Sequence, residues 1–119
     1  MSEGKRICYA LDLVDDPAMI QTYENYHKLG NVWPEIIESI RASGIENMEI
    51  YRAQNRLFMI MTVSEKFDKN SKVRLDIQSS KVQEWEDLMS RFQIPLPGMP
   101  EGEKWLEMIR IFNSHDEIN

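Results

Sequence analysis

The chain has 119 residues, a hydrophobic fraction of 42% and a formal net charge of −6. A length of this order holds one packed domain, and the apolar fraction is that of a globular chain rather than a disordered one. The acidic balance argues against nucleic acid and anionic membrane as partners. No apolar run approaches the roughly 20 residues of a membrane span, and the opening Met-Ser-Glu-Gly-Lys-Arg leads into a strand pattern rather than a signal peptide. The one cysteine, Cys8, can form no internal disulfide, which suits a reducing, cytoplasmic setting. One cysteine and two histidines without ligand spacing argue against a structural zinc site.

From Ile7 to Val14 the residues Ile7, Tyr9, Leu11 and Leu13 alternate with Cys8, Ala10 and Asp12. Period two predicts a strand with one apolar face, on which Cys8 is a small packed residue and not a nucleophile. Asp15-Asp16-Pro17 then reads as a helix start, an Asp cap followed by proline at the first helical position. The helix is expected to run to His27 or Lys28, to break at Leu29-Gly30-Asn31 and to resume at Trp33 or Pro34. Trp33, Ile36, Ile37 and Ile40 form an apolar stripe on the second piece, which Ser43-Gly44 ends.

Ile45 to Tyr51 predicts a strand, Arg52 to Arg56 a hairpin turn, and Leu57 to Val63 a central strand apolar on both faces. Ser64 to Lys72 is polar and reads as a loop or an irregular helical turn. From Val73, residues Leu75, Ile77, Val82, Trp85, Leu88, Met89 and Phe92 predict a helix in two pieces joined near Ser79-Ser80. Gln93 to Glu103 is too rich in Pro and Gly to be regular. Trp105 to Phe112 predicts a last strand, with Leu106, Met108, Arg110 and Phe112 on one side. Residues 113–119 read as a flexible tail.

The expected order is strand, helix, strand, strand, helix, strand over a single domain of residues 1–119. That is the α+β ferredoxin-like arrangement, a four-stranded antiparallel sheet with its helices on one face. The uncovered face, in a chain with eight methionines and three tryptophans, predicts a homodimer paired sheet to sheet, a barrel-like assembly.

The chemistry is concentrated in Tyr23 to Glu35. Tyr23 and His27 are four residues apart, which on a helix puts them on one face, one turn apart. A phenol beside an imidazole can give and take a proton near neutral pH, and the break at Gly30 and Pro34 would set the pair at the edge of a pocket. A solvated surface histidine is the plainer reading of the same spacing.

Together, Tyr23-xxx-His27, Val32-Trp33-Pro34-Glu35, Ser43-Gly44, Tyr51, Asn55-Arg56-Leu57-Phe58 and a later helix with Trp85 resemble the L-rhamnose mutarotase family, over about residues 5 to 112. The resemblance implies a small dimeric ferredoxin-like enzyme that interconverts the anomers of a 6-deoxy-hexose without a cofactor. It matches the family's helix tyrosine and histidine to Tyr23 and His27, and its second-helix tryptophan to Trp85. Three departures stand out. Five residues rather than three separate His27 from Trp33, Glu86 replaces a second tryptophan, and Met48 stands where a strand tyrosine lines the sugar pocket. The expected substrate is L-rhamnose, with L-fucose next.

On this reading His27 is the proton shuttle and Tyr23 its orienting partner or a second acid. Trp85 would be a platform for the apolar sugar face, or a plain core residue. Tyr51 and Glu35 are further candidates for sugar contact, Glu35 being equally a first-turn helix acid. The alternatives on the same architecture are a dimeric ferredoxin-like monooxygenase or haem-degrading protein, and a dimer that binds a metabolite without turning it over.

Overall fold

In the computed structural model, which describes residues 4–116, the sheet is built around β1, Lys5–Leu13. Its odd-numbered residues Ile7, Leu11 and Leu13 are buried under the helices, as the alternation predicts. β3, Arg56–Val63, runs antiparallel along one side of β1, and β2, Ile45–Ala53, pairs outside β3. The hairpin between them turns on Gln54 at φ 55° and is tied to β1 by Leu13 N donating to Asn55 O at 2.7 Å. Arg56 pairs with Asp12 across the ladder at 2.7 and 3.1 Å.

The fourth place in the sheet is shared by two short strands. β4, Gln93–Ile94, pairs with Leu13 and Asp12, and β5, Leu106–Glu107, pairs with Ala10 and Tyr9. Both lie along the edge of β1 that β3 leaves free. The resulting order β2-β3-β1-β4 is that of the ferredoxin-like α+β fold, with each of its two helices divided in two.

The first division follows the sequence signals closely. α1, Pro17–Tyr26, begins where the Asp16 carboxylate accepts from Met19 N at 3.0 Å, with Pro17 in the first turn. Gly30 takes φ 86° in the loop, and α2, Pro34–Ala42, restarts on its proline. The second division places α3 at Lys69–Gln78 and α4 at Ser80–Ser90. Ser79 leaves helical geometry at ψ 113°, and its hydroxyl accepts from Val82 N at 3.2 Å to start α4.

Three expectations are corrected. The later helix begins four residues before Val73, because Asp68 caps it by accepting from Ser71 N at 3.0 Å. α3 buries nothing: Val73, Leu75 and Ile77 are exposed, since a spacing of two distributes them around a helix instead of along one face. The last strand shrinks to Leu106–Glu107. After Met108 N donates to Cys8 O at 2.7 Å the chain leaves the edge of β1, so Arg110 and Phe112 have no ladder to join. Of the tail, Asn113 to Asp116 forms a turn, with Arg110 held by Asp116 at 3.0 Å; residues 117–119 lie outside the described part.

Between helices and sheet one cluster gathers Leu13, Tyr23, Ile36, Leu57, Val82, Trp85, Met89 and Phe92. A second joins Ile7, Ile45, Met59, Met61 and Val63. The other sheet face carries Cys8, Phe58 and Ile60, each half-buried, and exposed Ile109, Ile111 and Phe112 follow β5. Leu13 has no exposed surface and belongs to the cluster that joins β1 to α1, α2 and α4. Leu13→Ala is expected to lower unfolding stability by about 2–5 kcal/mol in a denaturant titration. A loss below about 1 kcal/mol would show that the cluster does not depend on it.

Candidate active site

Because α1 stops at Tyr26, His27 is its C-terminal cap, at φ −99° and ψ 0°. Its amide bonds to Glu24 O at 3.0 Å rather than continuing the helical pattern. The Tyr23 carbonyl, which an unbroken helix would tie to that amide, instead accepts from the imidazole Nδ1 at 2.7 Å. A carbonyl can only accept, so Nδ1 carries the hydrogen. Burial of the ring lowers its pKa below the ordinary 6.5, more than the Tyr23 carbonyl raises it. The imidazole is therefore neutral at pH 7, with the lone pair on Nε2: a base held in one tautomer by a helix end.

Tyr23 lies beside it, the two rings 4.5 Å apart. It is buried, and burial pushes its phenol up to about 12, partly offset by the amide of Gln93, which donates Nε2 to the phenol oxygen at 3.1 Å. The phenol thus keeps its proton across the physiological range and is a potential donor. A neutral base and a protonated acid stand one helical turn apart, which is the requirement for moving two protons in opposite directions.

Both line a cavity of about 730 Å³ between the helix layer and the sheet, a size within the usual range for small-molecule sites, about 300–1,000 Å³. Trp85 of α4 forms part of its wall, edge-on to His27 at 5.6 Å and to Trp33 at 5.2 Å. Its exposure is 5%, so the residue is at once core and cavity lining. Met48, Met59, Met61 and Ile50 supply an apolar floor from β2 and β3. Glu86 is on the rim, paired with Lys104 at 3.0 Å. Further round, Ser39 of α2 and Lys72 and Asp76 of α3 form a polar group, with Asp76 accepting from both at 3.0 and 2.7 Å. A larger, more open hollow near Gly4, Ser64 and Phe67 is lined by lysines and carboxylates of mixed sign and contains neither His27 nor Tyr23.

The structure brings His27, Tyr23 and Trp85 together and leaves the other two candidates apart. Tyr51 pairs with Phe58, one step out of phase with the cavity-facing pair Ile50 and Met59, so it lies on the sheet's opposite face. There it is exposed and donates its hydroxyl to Glu49 at 2.8 Å. Glu35 sits in the first turn of α2 outside the cavity lining, where a carboxylate favours the helix terminus. Within one chain neither can touch a sugar beside His27. Among the cavity residues the sequence reading missed are Gln93, Ser39, Lys72 and Asp76. No local pattern announced them, since each reaches the cavity through register or through the angle between helices.

The lowered imidazole pKa sets a measurable sign. In a proton NMR titration, the histidine signal that disappears in His27→Ala is expected to have its midpoint below 6.5. Because the unfolded chain then binds the proton more tightly, this group's contribution to stability is present above about 6.5 and lost as pH falls through the folded value. A midpoint above 6.5 would contradict the burial argument.

A family model described as L-rhamnose mutarotase matches residues 6–114. An L-fucose mutarotase of Xanthomonas campestris pv. campestris is 48% identical over 115 residues, 97% of this chain and 92% of that one. A UPF0734 protein of Dictyostelium discoideum is 35% identical, covering 92% of this chain and 89% of that one. Among solved structures, an L-rhamnose mutarotase from Formosa agariphila has a TM-score of 0.67 at 20% identity, over 92% of this chain and 97% of that one. The tetracenomycin F2 cyclase of Streptomyces glaucescens has a TM-score of 0.62 at 12% identity, over 92% and 98%. At these identities the two structures speak for the fold alone. The family match over nearly the whole chain and the 48% relative say more: the chain belongs to the L-rhamnose mutarotase family.

Proposed function

We propose that the protein is a mutarotase that interconverts the α and β anomers of a 6-deoxy-hexopyranose. The observation that carries the reading is the pairing of a neutral, tautomerically fixed His27 with a protonated Tyr23 on one cavity wall. His27 Nε2 takes the proton of the anomeric hydroxyl while the Tyr23 hydroxyl gives its proton to the ring oxygen. The bond from C1 to the ring oxygen breaks, leaving the open-chain aldehyde, an imidazolium and a phenolate. After rotation about C1–C2, the ring hydroxyl attacks the other face of the carbonyl. Its proton returns to Tyr23, and the imidazolium proton returns to the carbonyl oxygen. Both groups end as they began, and the transfers need no group beyond the two side chains.

Trp85 and the methionine floor would take the apolar sugar face and the C6 methyl group. For the sugar itself we favour L-fucose over L-rhamnose, reversing the expectation from sequence. The 48% identical relative is an L-fucose mutarotase, and Glu86 and Met48 alter the cavity wall where rhamnose-type members carry aromatics. A cytoplasmic location belongs to the same reading; no helix among the described residues is long and apolar enough to cross a membrane.

Saturation-transfer NMR on the two sugars tests this. Exchange between anomers should exceed the buffer rate for L-fucose most and for L-rhamnose less. His27→Ala should lower it about 10²-fold or more, the scale of one acid/base group. Tyr23→Phe should cost a comparable factor if the phenol is the acid. Exchange of neither sugar above the blank would end the mutarotase reading. Haem or quinol-type substrates producing a spectral change in that case would favour the oxygenase alternative.

A further inference from the structure

One of the sheet's two shortest strands reaches into the cavity without an assigned task. β4 contributes two residues to the ladder, and its pairing of Gln93 with Leu13 turns the Gln93 side chain to the helix side. The segment is pinned there by Val14 N donating to Phe92 O at 2.8 Å. Gln93 Nε2 donates to the Tyr23 phenol oxygen at 3.1 Å, while its Oε1 is buried with no hydrogen-bond partner among the described residues. The reverse orientation of the amide would leave N–H donors buried at that position instead of a carbonyl oxygen, which is the costlier arrangement.

We infer that Gln93 is a positioning residue for proton transfer, holding the Tyr23 phenol so that its single proton faces the cavity. A phenol has one hydrogen to give, and an N–H donor on its oxygen forces that hydrogen to point elsewhere. The Tyr23 carbonyl is already engaged by His27 Nδ1, so the imidazole is fixed with Nε2 left for the sugar. Once the phenol has given its proton to the ring oxygen, the same amide N–H remains aimed at the phenolate in a site that otherwise penalises negative charge. An amide is required for this. A carboxylate in its place would accept the phenol proton and turn the acid away from the substrate.

This inference rests on the mutarotase reading, with Tyr23 as the acid, and a double-mutant cycle separates the two. Anomer exchange is measured by saturation-transfer NMR, on whichever of L-fucose and L-rhamnose the parent exchanges faster, for Gln93→Met, Tyr23→Phe and the double variant. Thermal melts establish that each variant is folded. Gln93→Met is expected to lower kcat about 10-fold with little change in KM, the scale of one hydrogen bond to a reacting group. In the Tyr23→Phe background it should lower the rate no further, a non-additivity that a merely structural role would not produce. Gln93→Glu, nearly isosteric, should fall about as far as Tyr23→Phe at neutral pH, and serves if the methionine variant does not fold. Parent-like exchange in both Gln93 variants, or losses that multiply in the double variant, would overturn the role of Gln93 while leaving the mutarotase intact. A parent that exchanges neither sugar, or Tyr23→Phe at the parent rate, would overturn the acid role and this inference with it.

Discussion

The hydrogen bond from His27 Nδ1 to the Tyr23 carbonyl, 2.7 Å long, joins the fold to the chemistry. It exists because α1 ends one residue early, leaving a carbonyl that the next turn would have satisfied. The ring that satisfies it becomes the helix cap and loses its freedom to choose a tautomer in the same contact. The break is in turn enforced by neighbouring residues. Gly30 takes the left-handed turn, and Asn31 donates its side-chain amide to Asn25 O at 2.6 Å, closing the loop before Pro34 starts α2. A continuous helix would bring Tyr23 and His27 to the same face, yet its backbone would claim the carbonyl and leave the imidazole unanchored.

The second constraint is that the cavity wall is made from core side chains. Tyr23 and Trp85 belong to the cluster that packs α1, α2 and α4 onto Leu13 and Leu57. Burial raises the Tyr23 phenol pKa and lowers that of the His27 imidazole, which lies against both rings, keeping both groups neutral at physiological pH. Packing and proton chemistry therefore cannot be varied separately here. Enlarging the cavity by trimming Trp85 would admit water and bring both groups back towards their solution behaviour. The sheet contributes the floor, and β4 contributes one amide at the place where the phenol oxygen is reached.

Much of this was legible because the governing signals are local. The alternation of Ile7 to Leu13, the Asp16-Pro17 start and the Gly30 and Pro34 punctuation each act within a few residues, and the structure follows them. The His/Tyr spacing likewise brings its two rings together, although α1 stops at Tyr26, short of the expected His27 or Lys28, and His27 caps it. What was not legible depends on long-range pairing. β4 is two residues in a Pro- and Gly-rich stretch, and only the ladder with Asp12 and Leu13 makes it a strand. The phase of β2 decides which of Ile50 and Tyr51 sees the cavity, and the irregularity between Ile45 and Asn47 resets that phase inside the strand. Phe112 and Arg110 alternate as a strand would, but period alone supplies no partner. The polar group of Ser39, Lys72 and Asp76 required knowing how α2 lies against α3.

The central claim is that His27 meets the substrate as a neutral imidazole with its hydrogen on Nδ1 and a bare Nε2. Nitrogen-15 NMR of the histidine-labelled protein, above the titration midpoint of this ring, reads the tautomer directly. The account predicts a pyrrole-type shift at Nδ1 and a pyridine-type shift at Nε2 for the signal absent from His27→Ala. The reverse pattern, with the hydrogen on Nε2, would leave no lone pair on the nitrogen held for the sugar and would contradict it.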